Sequence, residues 1–413
     1  METTTMNDRT ILRTFAATYC AEIANDPDKR PLYIGVNDLH MERPVVLIDE
    51  IPWNEMDFEG SLALQCTDPF FRKAEQYFRR ELYLHRHLPA DHLFLPYYPI
   101  RKQFHSSGNG VSVAETLLST DLQNHIVSHE YEDQFASDED LNKLHLETIT
   151  YDQETSETEY AVIAEAIYDL LPVKLVGIEP YSLVCETWDR IVTYRGVTNL
   201  LIDLIDRPEF THRLVERLTE IYIDKMQQFE RLGLLDAEEP YIHCTAAISE
   251  DLPRPEPGKP AQLKNIWGRG IAQILASASK AMRDEFDIQS MKRTMAPFGL
   301  VYYGCCEPLH DQIDILEQLP NLRKISITPW ADVDVAAEAI GSRYVLAAKP
   351  NSAIVAMDTF EESAAHKEIS RIIAACRRNG CSFELTLKDI STVCRRPQNL
   401  FQWEKLAMEM VNA

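Results

Sequence analysis

Apolar residues occur along this chain in short runs that end at proline, glycine or charged residues. Runs of this kind are typical of buried strands, and they predict strands near residues 45, 94, 174, 242, 301, 324, 345 and 384. From Pro172 onward, each predicted strand is followed by a segment with helical character. Alternating strands and helices indicate a parallel sheet covered by helices.

Eight predicted strands match a TIM barrel, so the expected fold is α/β, a (β/α)8 barrel in a single domain over residues 1–413. An open doubly wound sheet is the alternative, although no G-x-G-x-x-G motif follows the first strand. Helical spacing over residues 9–25 predicts a helix within an N-terminal helical extension of residues 1–40. Residues 100–160 are polar, acidic and weakly periodic. They predict an insertion, which is either a functional lid or a solvated excursion.

Composition restricts the partners of the chain. Its 41 Lys and Arg residues against 65 Asp and Glu give a net charge of −24, which disfavours nucleic acid and anionic membrane surfaces. No apolar run is long enough to span a membrane, and the first residues do not resemble a signal peptide. The nine irregularly spaced cysteines therefore indicate reduced thiols and a cytoplasmic localisation.

Chemistry-bearing residues follow two of the predicted strands. His243 and Cys244 end the fourth, and Cys305, Cys306 and Glu307 follow the fifth. Because the carboxyl ends of barrel strands converge, these side chains are expected to lie close together. Thiolate, imidazole and carboxylate groups are ligands of zinc.

This set predicts a metal site formed by Cys306, Cys305, Glu307 and His243, in which Cys306, Glu307 and His243 are catalytic. Two alternatives stay open from the residues alone. One is a pair of buried thiols that pack as small hydrophobic groups. The other is a nucleophilic cysteine paired with His243.

Other strand ends carry aromatic and charged residues that predict the walls of a substrate site. These residues are Trp53, Tyr97, Tyr181, Trp267, Arg269, Lys388 and Asp389. A predicted helix over Trp267–Ala281 places Arg269 between two glycines at a helix start, where a substrate anion or a plain turn would fit. Lys388 and Asp389 suit either an anionic substrate group or a simple ion pair. After the first strand, alternation allows at most one of Asp49 and Glu50 to point inward.

Three stretches of the C-terminal half resemble the uroporphyrinogen decarboxylase superfamily. They are Tyr303–Leu316, Ile325–Asp332 and Pro397–Trp403. The resemblance implies a TIM barrel and two candidate chemistries. Decarboxylases of the superfamily use no cofactor, bind substrate carboxylates with arginines after the first strand and orient the pyrroles with an aspartate after the second. Here no arginine occurs between Val45 and Trp53, and Tyr97 and Tyr98 occupy the place of that aspartate.

The other branch resembles corrinoid-dependent methyltransferases, in which zinc binds a thiol through a His-x-Cys pattern and a later cysteine. Cys306 matches the first cysteine, Gly304 stands in place of the histidine, and Cys394 is displaced from the later position. The resemblance implies zinc, a corrinoid as substrate or carrier, a small-molecule substrate, a corrinoid protein as partner and a homodimer.

The predicted function is therefore that of a corrinoid-dependent methyltransferase, which moves a methyl group to or from a cobalamin carrier. A lyase similar to uroporphyrinogen decarboxylase is one alternative, with Arg269 and Lys388 binding another anionic cyclic substrate. A non-enzymatic corrinoid- or tetrapyrrole-binding protein is the other.

Overall fold

Helices and strands alternate over most of the computed structural model, which describes residues 7–119 and 127–413. The α-helices are α1 (Asp8–Ile23), α2 (Arg30–Asn37), α3 (Trp53–Met56), α4 (Pro69–His87), α5 (Gln153–Ile167), α6 (Thr187–Arg195), α7 (Val197–Asp206), α8 (Pro208–Arg231), α9 (Lys280–Arg283), α10 (Gln289–Met295), α11 (Ile313–Leu316), α12 (Val333–Ile340), α13 (Glu362–Asn379) and α14 (Pro397–Val411). The strands are β1 (Val45–Ile48), β2 (Tyr98–Arg101), β3 (Gln103–Ser106), β4 (Glu115–Leu118), β5 (Ser128–Tyr131), β6 (Ile149–Asp152), β7 (Val173–Val176), β8 (Val184–Cys185), β9 (Tyr241–Ile242), β10 (Thr245–Ala246), β11 (Trp267–Gly270), β12 (Leu300–Tyr303), β13 (Leu322–Ile327), β14 (Val345–Ala348) and β15 (Ser382–Leu387).

A seven-stranded parallel sheet forms the centre of the described chain, in the order β1-β15-β14-β13-β12-β11-β8. The first strand pairs with the last, so that Val45 lies opposite Glu384. Strands β2 and β7 form a separate parallel pair. Within the described residues no ladder joins this pair to the larger sheet. The predicted α/β fold with a parallel sheet is confirmed, whereas the strands of residues 7–119 and 127–413 do not form a closed hydrogen-bonded ring.

The central strands are buried on both faces, which explains their apolar sequences. Every residue of β12, β14 and β15 is buried. Helices cover the outer face, and α14 contributes the buried Trp403 to the main apolar cluster. Because neither face of these strands is exposed to solvent, their sequences show little alternation between apolar and polar residues.

Three predictions of secondary structure are wrong. Trp267–Gly270 is strand β11, paired with β12, and not the start of a helix. The run Pro240–Thr245 contributes the short strand β9 and the first residue of β10, which pair antiparallel outside the main sheet. The second predicted strand, near residue 94, is displaced, because β2 begins at Tyr98.

The glycines of β11 have a packing role that explains the first of these differences. A Cβ atom at Gly268 would lie 2.7 Å from the ring of Phe298, and one at Gly270 would lie 2.6 Å from Met291 Sδ. Only glycine leaves room for these two side chains beside the strand. Glycine-rich sequence was therefore a sign of close packing in a strand and not of a turn.

Peripheral segments follow the sequence prediction more closely. Helix α1 covers most of the predicted 9–25 helix. In the 100–160 segment, β3 pairs antiparallel with β6, and β4 with β5. None of the helices in the described ranges combines the length and apolar character needed to cross a bilayer.

We expect Gly268→Ala to destabilise the protein by about 1–3 kcal/mol, because the added methyl group overlaps Phe298. Urea unfolding measures this change. Gly35→Ala is the matched control, since its nearest contacts would lie at an ordinary 3.6 Å. As Gly35 lies in helix α2, alanine there should stabilise by about 0.5–1 kcal/mol. Equal stabilities of the two variants would contradict the packing argument.

Candidate metal centre

A sharp turn after β12 brings two thiols together. Gly304 has φ +94°, and a Cβ atom there would lie 2.4 Å from Leu309, so this turn requires glycine. The Sγ atoms of Cys305 and Cys306 lie 3.6 Å apart directly after it. Cys305 is buried, whereas Cys306 is partly exposed.

The segment between β9 and β10 contributes an imidazole and a third thiol. His243 Nε2 lies 3.8 Å from Cys305 Sγ, and both ring nitrogens of His243 lie 3.3 Å from Cys244 Sγ. One potential ligand atom from each of Glu50, His243 and Cys244 lies within 4.8 Å of the others. The predicted approach of His243 to Cys305 is thus present, and Glu50 and Cys244 join the group. We call these four residues, together with Cys306, the thiol–imidazole cluster.

Buried lysines hold this segment against the sheet. Lys324 Nζ, on β13, donates to Thr245 Oγ1 at 2.6 Å and to the Ala246 carbonyl at 3.0 Å, and it pairs with Glu384 of β15 at 3.0 Å. Lys349 Nζ donates to the Cys244 carbonyl at 2.5 Å. Burial lowers the pKa of Lys324 to about 8, which leaves its ammonium charged at pH 7. These contacts position His243 and Cys244, although their segment lies outside the main sheet.

Three residues at the same place have a left-handed backbone conformation. Glu50, Cys244 and Asp389 have φ angles of +52°, +61° and +54°. Residues with a Cβ atom avoid this left-handed region unless the surrounding structure imposes it. At Glu50 the left-handed conformation breaks the alternation of β1, so that Asp49 and Glu50 line the same cavity. The expectation that at most one of them points inward is wrong.

Lys388 provides positive charge beside the thiols. Its Nζ atom lies 3.2 Å from Cys305 Sγ, 3.5 Å from Cys306 Sγ and 3.0 Å from Asp389. A hydrogen bond from the Cys306 thiol lowers the pKa of Cys305, burial opposes this change, and His243, Arg269 and Lys388 lower the pKa further. Burial works against the charge of Lys388, but the neighbouring sulfur atoms and Glu50 raise its pKa above the usual value. The structure therefore favours a thiolate at Cys305.

Glu307, a predicted catalytic residue and metal ligand, is directed away from the thiols. Its two carboxylate oxygens accept hydrogen bonds from the backbone N–H groups of Cys305, at 2.8 Å, and Ala272, at 3.2 Å. The guanidinium of Arg283 lies 3.8 Å from it in the buried interior. Glu307 thus fixes the backbone of the Cys305–Cys306 turn, and the carboxylate that lies with His243 and Cys244 is that of Glu50.

The predicted substrate-binding residues are dispersed. Trp267 is buried, and its Nε1 donates to the Ala247 carbonyl at 2.7 Å. Arg269 is 2% exposed, lies 3.9 Å from the Tyr302 ring centre and donates to the Gly304 carbonyl. Both residues belong to the interior of the sheet and not to a surface that a substrate could reach.

Of the aromatic residues predicted at strand ends, Tyr181 contacts the imidazole of the cluster. Its ring centre is 5.2 Å from that of His243. Tyr97 packs instead on Lys174, with the ammonium 4.1 Å from the ring centre. Trp53 lines a cavity that also reaches Glu50.

Two cavities adjoin the thiol–imidazole cluster. The first, about 240 Å³, is lined by Leu47, Ile48, Asp49, Glu50, Ile51, Trp53, Leu84, Leu88, Ala90, His92, Tyr241, Ile242, Thr245 and Thr386. The second, about 430 Å³, is bounded by Gly108, Asn109, Val111 and Glu147 of the 100–160 insertion and by Tyr181 and Val184. Val184 packs against Cys305. The smaller cavity therefore reaches the cluster at Glu50 and the larger one through Tyr181, which contacts His243, and the insertion forms a wall of the larger one.

Several residues of this site were not identified from sequence. Lys324 and Glu384 interrupt apolar strands, and Lys349 directly follows one. A charged residue inside a buried strand predicts a buried partner of opposite charge. The identity of that partner depends on which strands are neighbours, which the sequence does not show. No protein-family model and no curated protein matches this chain. The geometry of the site is therefore the basis for a function.

We expect Lys388→Met to raise the pKa of Cys305, because the variant removes a cation 3.2 Å from its sulfur. In metal-free protein, the pH midpoint for alkylation of Cys305 by iodoacetamide should move upward, as peptide mass spectrometry can measure. Lys367→Met removes an exposed lysine on α13 and should leave this midpoint unchanged. An unchanged midpoint in both variants would exclude the proposed effect of Lys388.

Glu384→Gln should destabilise the protein by about 3–5 kcal/mol, because it leaves the fully buried Lys324 ammonium without its charged partner. Chemical unfolding measures the loss. Glu409→Gln, at an exposed ion pair with Lys405, is the matched control and should change stability by less than about 1 kcal/mol. A similar, small loss in both variants would show that the buried pair is unimportant.

Proposed function

We propose that this chain is a cytoplasmic, zinc-assisted methyltransferase of the uroporphyrinogen decarboxylase superfamily, with a (β/α)8 barrel. The strand order supports the barrel. From β11 to β15 neighbouring strands follow chain order, and β15 returns to pair with β1. The separate parallel pair β2 and β7 brings the parallel strands of this arrangement to eight, with β8 as a short addition. The cysteines support a reducing compartment, since each of the nine is a free thiol.

The approach of His243, Cys244, Cys305 and Glu50 carries the proposal. Imidazole, thiolate and carboxylate groups form the donor set that zinc prefers, so these residues fit the metal. Zinc held there would lower the pKa of a bound thiol and make a thiolate available at neutral pH. Cys306 is partly exposed beside Cys305 and is either a further ligand or the thiol nearest to substrate.

The remaining residues have separate roles in this proposal. Lys388 stabilises negative charge on the sulfur atoms, and Asp389 Oδ2 lies 3.3 Å from Cys306 Sγ. Glu307 holds the Cys305 amide in place. The smaller cavity would hold the small-molecule reactant next to Glu50. The other methyl-group partner would be a corrinoid carried by a separate protein, and the enzyme would act as a homodimer.

The lyase alternative has less support. It needs arginine or lysine side chains that meet substrate carboxylates, yet Arg269 is buried and donates to a backbone carbonyl. Lys388 lies against two thiols and two carboxylates of the chain itself. A purely binding protein would not require cations to be placed beside the thiols.

We expect the purified protein to contain about one zinc per chain by elemental mass spectrometry. His243→Ala and Cys305→Ser should each remove most of this zinc, because they delete central donor atoms. Cys306→Ala tests whether the second thiol of the pair is also a ligand. Cys376→Ala, which changes a buried thiol in α13, is the control and should retain the metal.

Activity is tested by demethylation of methylcobalamin, followed by the cobalamin absorbance spectrum in the presence of candidate acceptors. Loss of activity in His243→Ala with normal folding would support the proposal. A protein that binds no zinc and converts neither methylcobalamin nor uroporphyrinogen would contradict both enzymatic hypotheses.

A further inference from the structure

The smaller cavity beside the thiol–imidazole cluster has an acidic lining. Asp49 and Glu50 are its carboxylates, and its lining contains neither lysine nor arginine. The imidazole of His92, which also lines it, is engaged with Glu81 at 3.2 Å and stacks on Tyr241. A ligand in this cavity therefore meets negative charge.

The charge of Asp49 has no cationic partner. Its oxygens accept hydrogen bonds from the backbone N–H groups of Glu50, at 2.8 Å, and Cys244, at 3.1 Å. No salt bridge to Asp49 occurs within residues 7–119 and 127–413. Glu50 is different, because Lys388 lies 3.9 Å from it, but that lysine is on the side of the thiols and outside the cavity lining. A carboxylate bordering an apolar cavity without a counter-charge favours a positively charged ligand.

The other walls suit the apolar part of such a ligand. Ile48, Leu84 and Leu88 present aliphatic surface, and Tyr241 and Trp53 contribute aromatic rings, of which that of Trp53 already has the Arg80 guanidinium 4.9 Å from its centre. Aromatic rings attract cations whose substituents are apolar, such as substituted ammonium groups. The combination of carboxylates, aromatic rings and aliphatic side chains matches an ammonium ion that carries alkyl groups.

Thr386 gives an independent indication that a polar ligand binds here. Its side chain is fully buried and lines the cavity. Its hydroxyl oxygen has no hydrogen-bond partner among the described residues. A buried hydroxyl without a partner is unfavourable, so a ligand group that hydrogen-bonds to it would contribute to binding.

We propose that this cavity binds a small organic cation, namely a substituted ammonium whose polar substituent reaches the Thr386 hydroxyl. The cation site itself does not depend on the proposed function. Only the assignment of this cation as the small-molecule reactant beside the thiols rests on that function.

Choline and 3,3-dimethyl-1-butanol are suitable probes, because they share one shape and differ in the positive charge. Isothermal titration calorimetry on the full-length protein should give choline an affinity at least about ten-fold higher than that of the neutral alcohol. This comparison needs no variant. Equal affinities, or no binding of choline, would overturn the proposal.

Two variants locate the site. Asp49→Asn should weaken choline binding by at least about ten-fold and leave binding of the alcohol unchanged. Thr386→Val, which keeps the shape of the side chain, should weaken both probes to a similar extent. Asp311→Asn, at an exposed position outside the cavity, is the control and should change neither. Unchanged choline binding in Asp49→Asn would also overturn the proposal.

Zinc content measured on the same samples separates this inference from the proposed function. A protein that contains zinc but does not prefer choline over the alcohol contradicts only the cation site. A protein that binds choline through Asp49 but contains no zinc contradicts only the metal-assisted methyltransferase.

Discussion

The buried ion pair of Lys324 and Glu384 is the interaction on which the site depends. It joins β13 to β15 across the intervening strand, and Lys324 also bonds Thr245 and Ala246. Each charge is acceptable in the interior only because the other is present. The segment that carries His243 has little pairing of its own beyond two-residue strands. The position of this segment relative to the thiols that follow β12 is consequently determined by the buried ion pair of Lys324 and Glu384.

The interior beneath the thiols is accordingly more cationic than a typical protein core. Arg269, Lys349 and Lys388 are all buried there, close to backbone carbonyls and sulfur atoms. Such cations stabilise thiolates, which are both the nucleophilic and the metal-binding form of cysteine. The same side chains thus hold the backbone in place and adjust the chemistry of Cys305, which links the stability of the fold to the reactivity of the site.

The sequence predicted features that depend on local pattern. Buried strands such as β14 appear as uninterrupted apolar runs, and helix α1 shows helical spacing. The predicted approach of His243 to Cys305 is present, although the His243 segment lies outside the main sheet and is positioned by Lys324 and Lys349. The prediction failed where distant residues decide the outcome: the glycines of β11 resemble a turn until Met291 and Phe298 are seen to pack on them. The carboxylate of Glu307 is a group that can bind a metal, but the turn after β12 directs it to backbone N–H groups.

At Glu50, Cys244 and Asp389, the left-handed backbone conformation lowers stability, whereas the side chains supply functional groups to the proposed site. Each conformation costs about 1–2 kcal/mol with a Cβ atom present, and glycine would remove this cost. Glycine would also remove a carboxylate or a thiol from the centre. Selection of this chain for thermal tolerance alone would therefore favour glycine at these three positions, and the most heat-resistant descendants would be the ones that had lost these side chains.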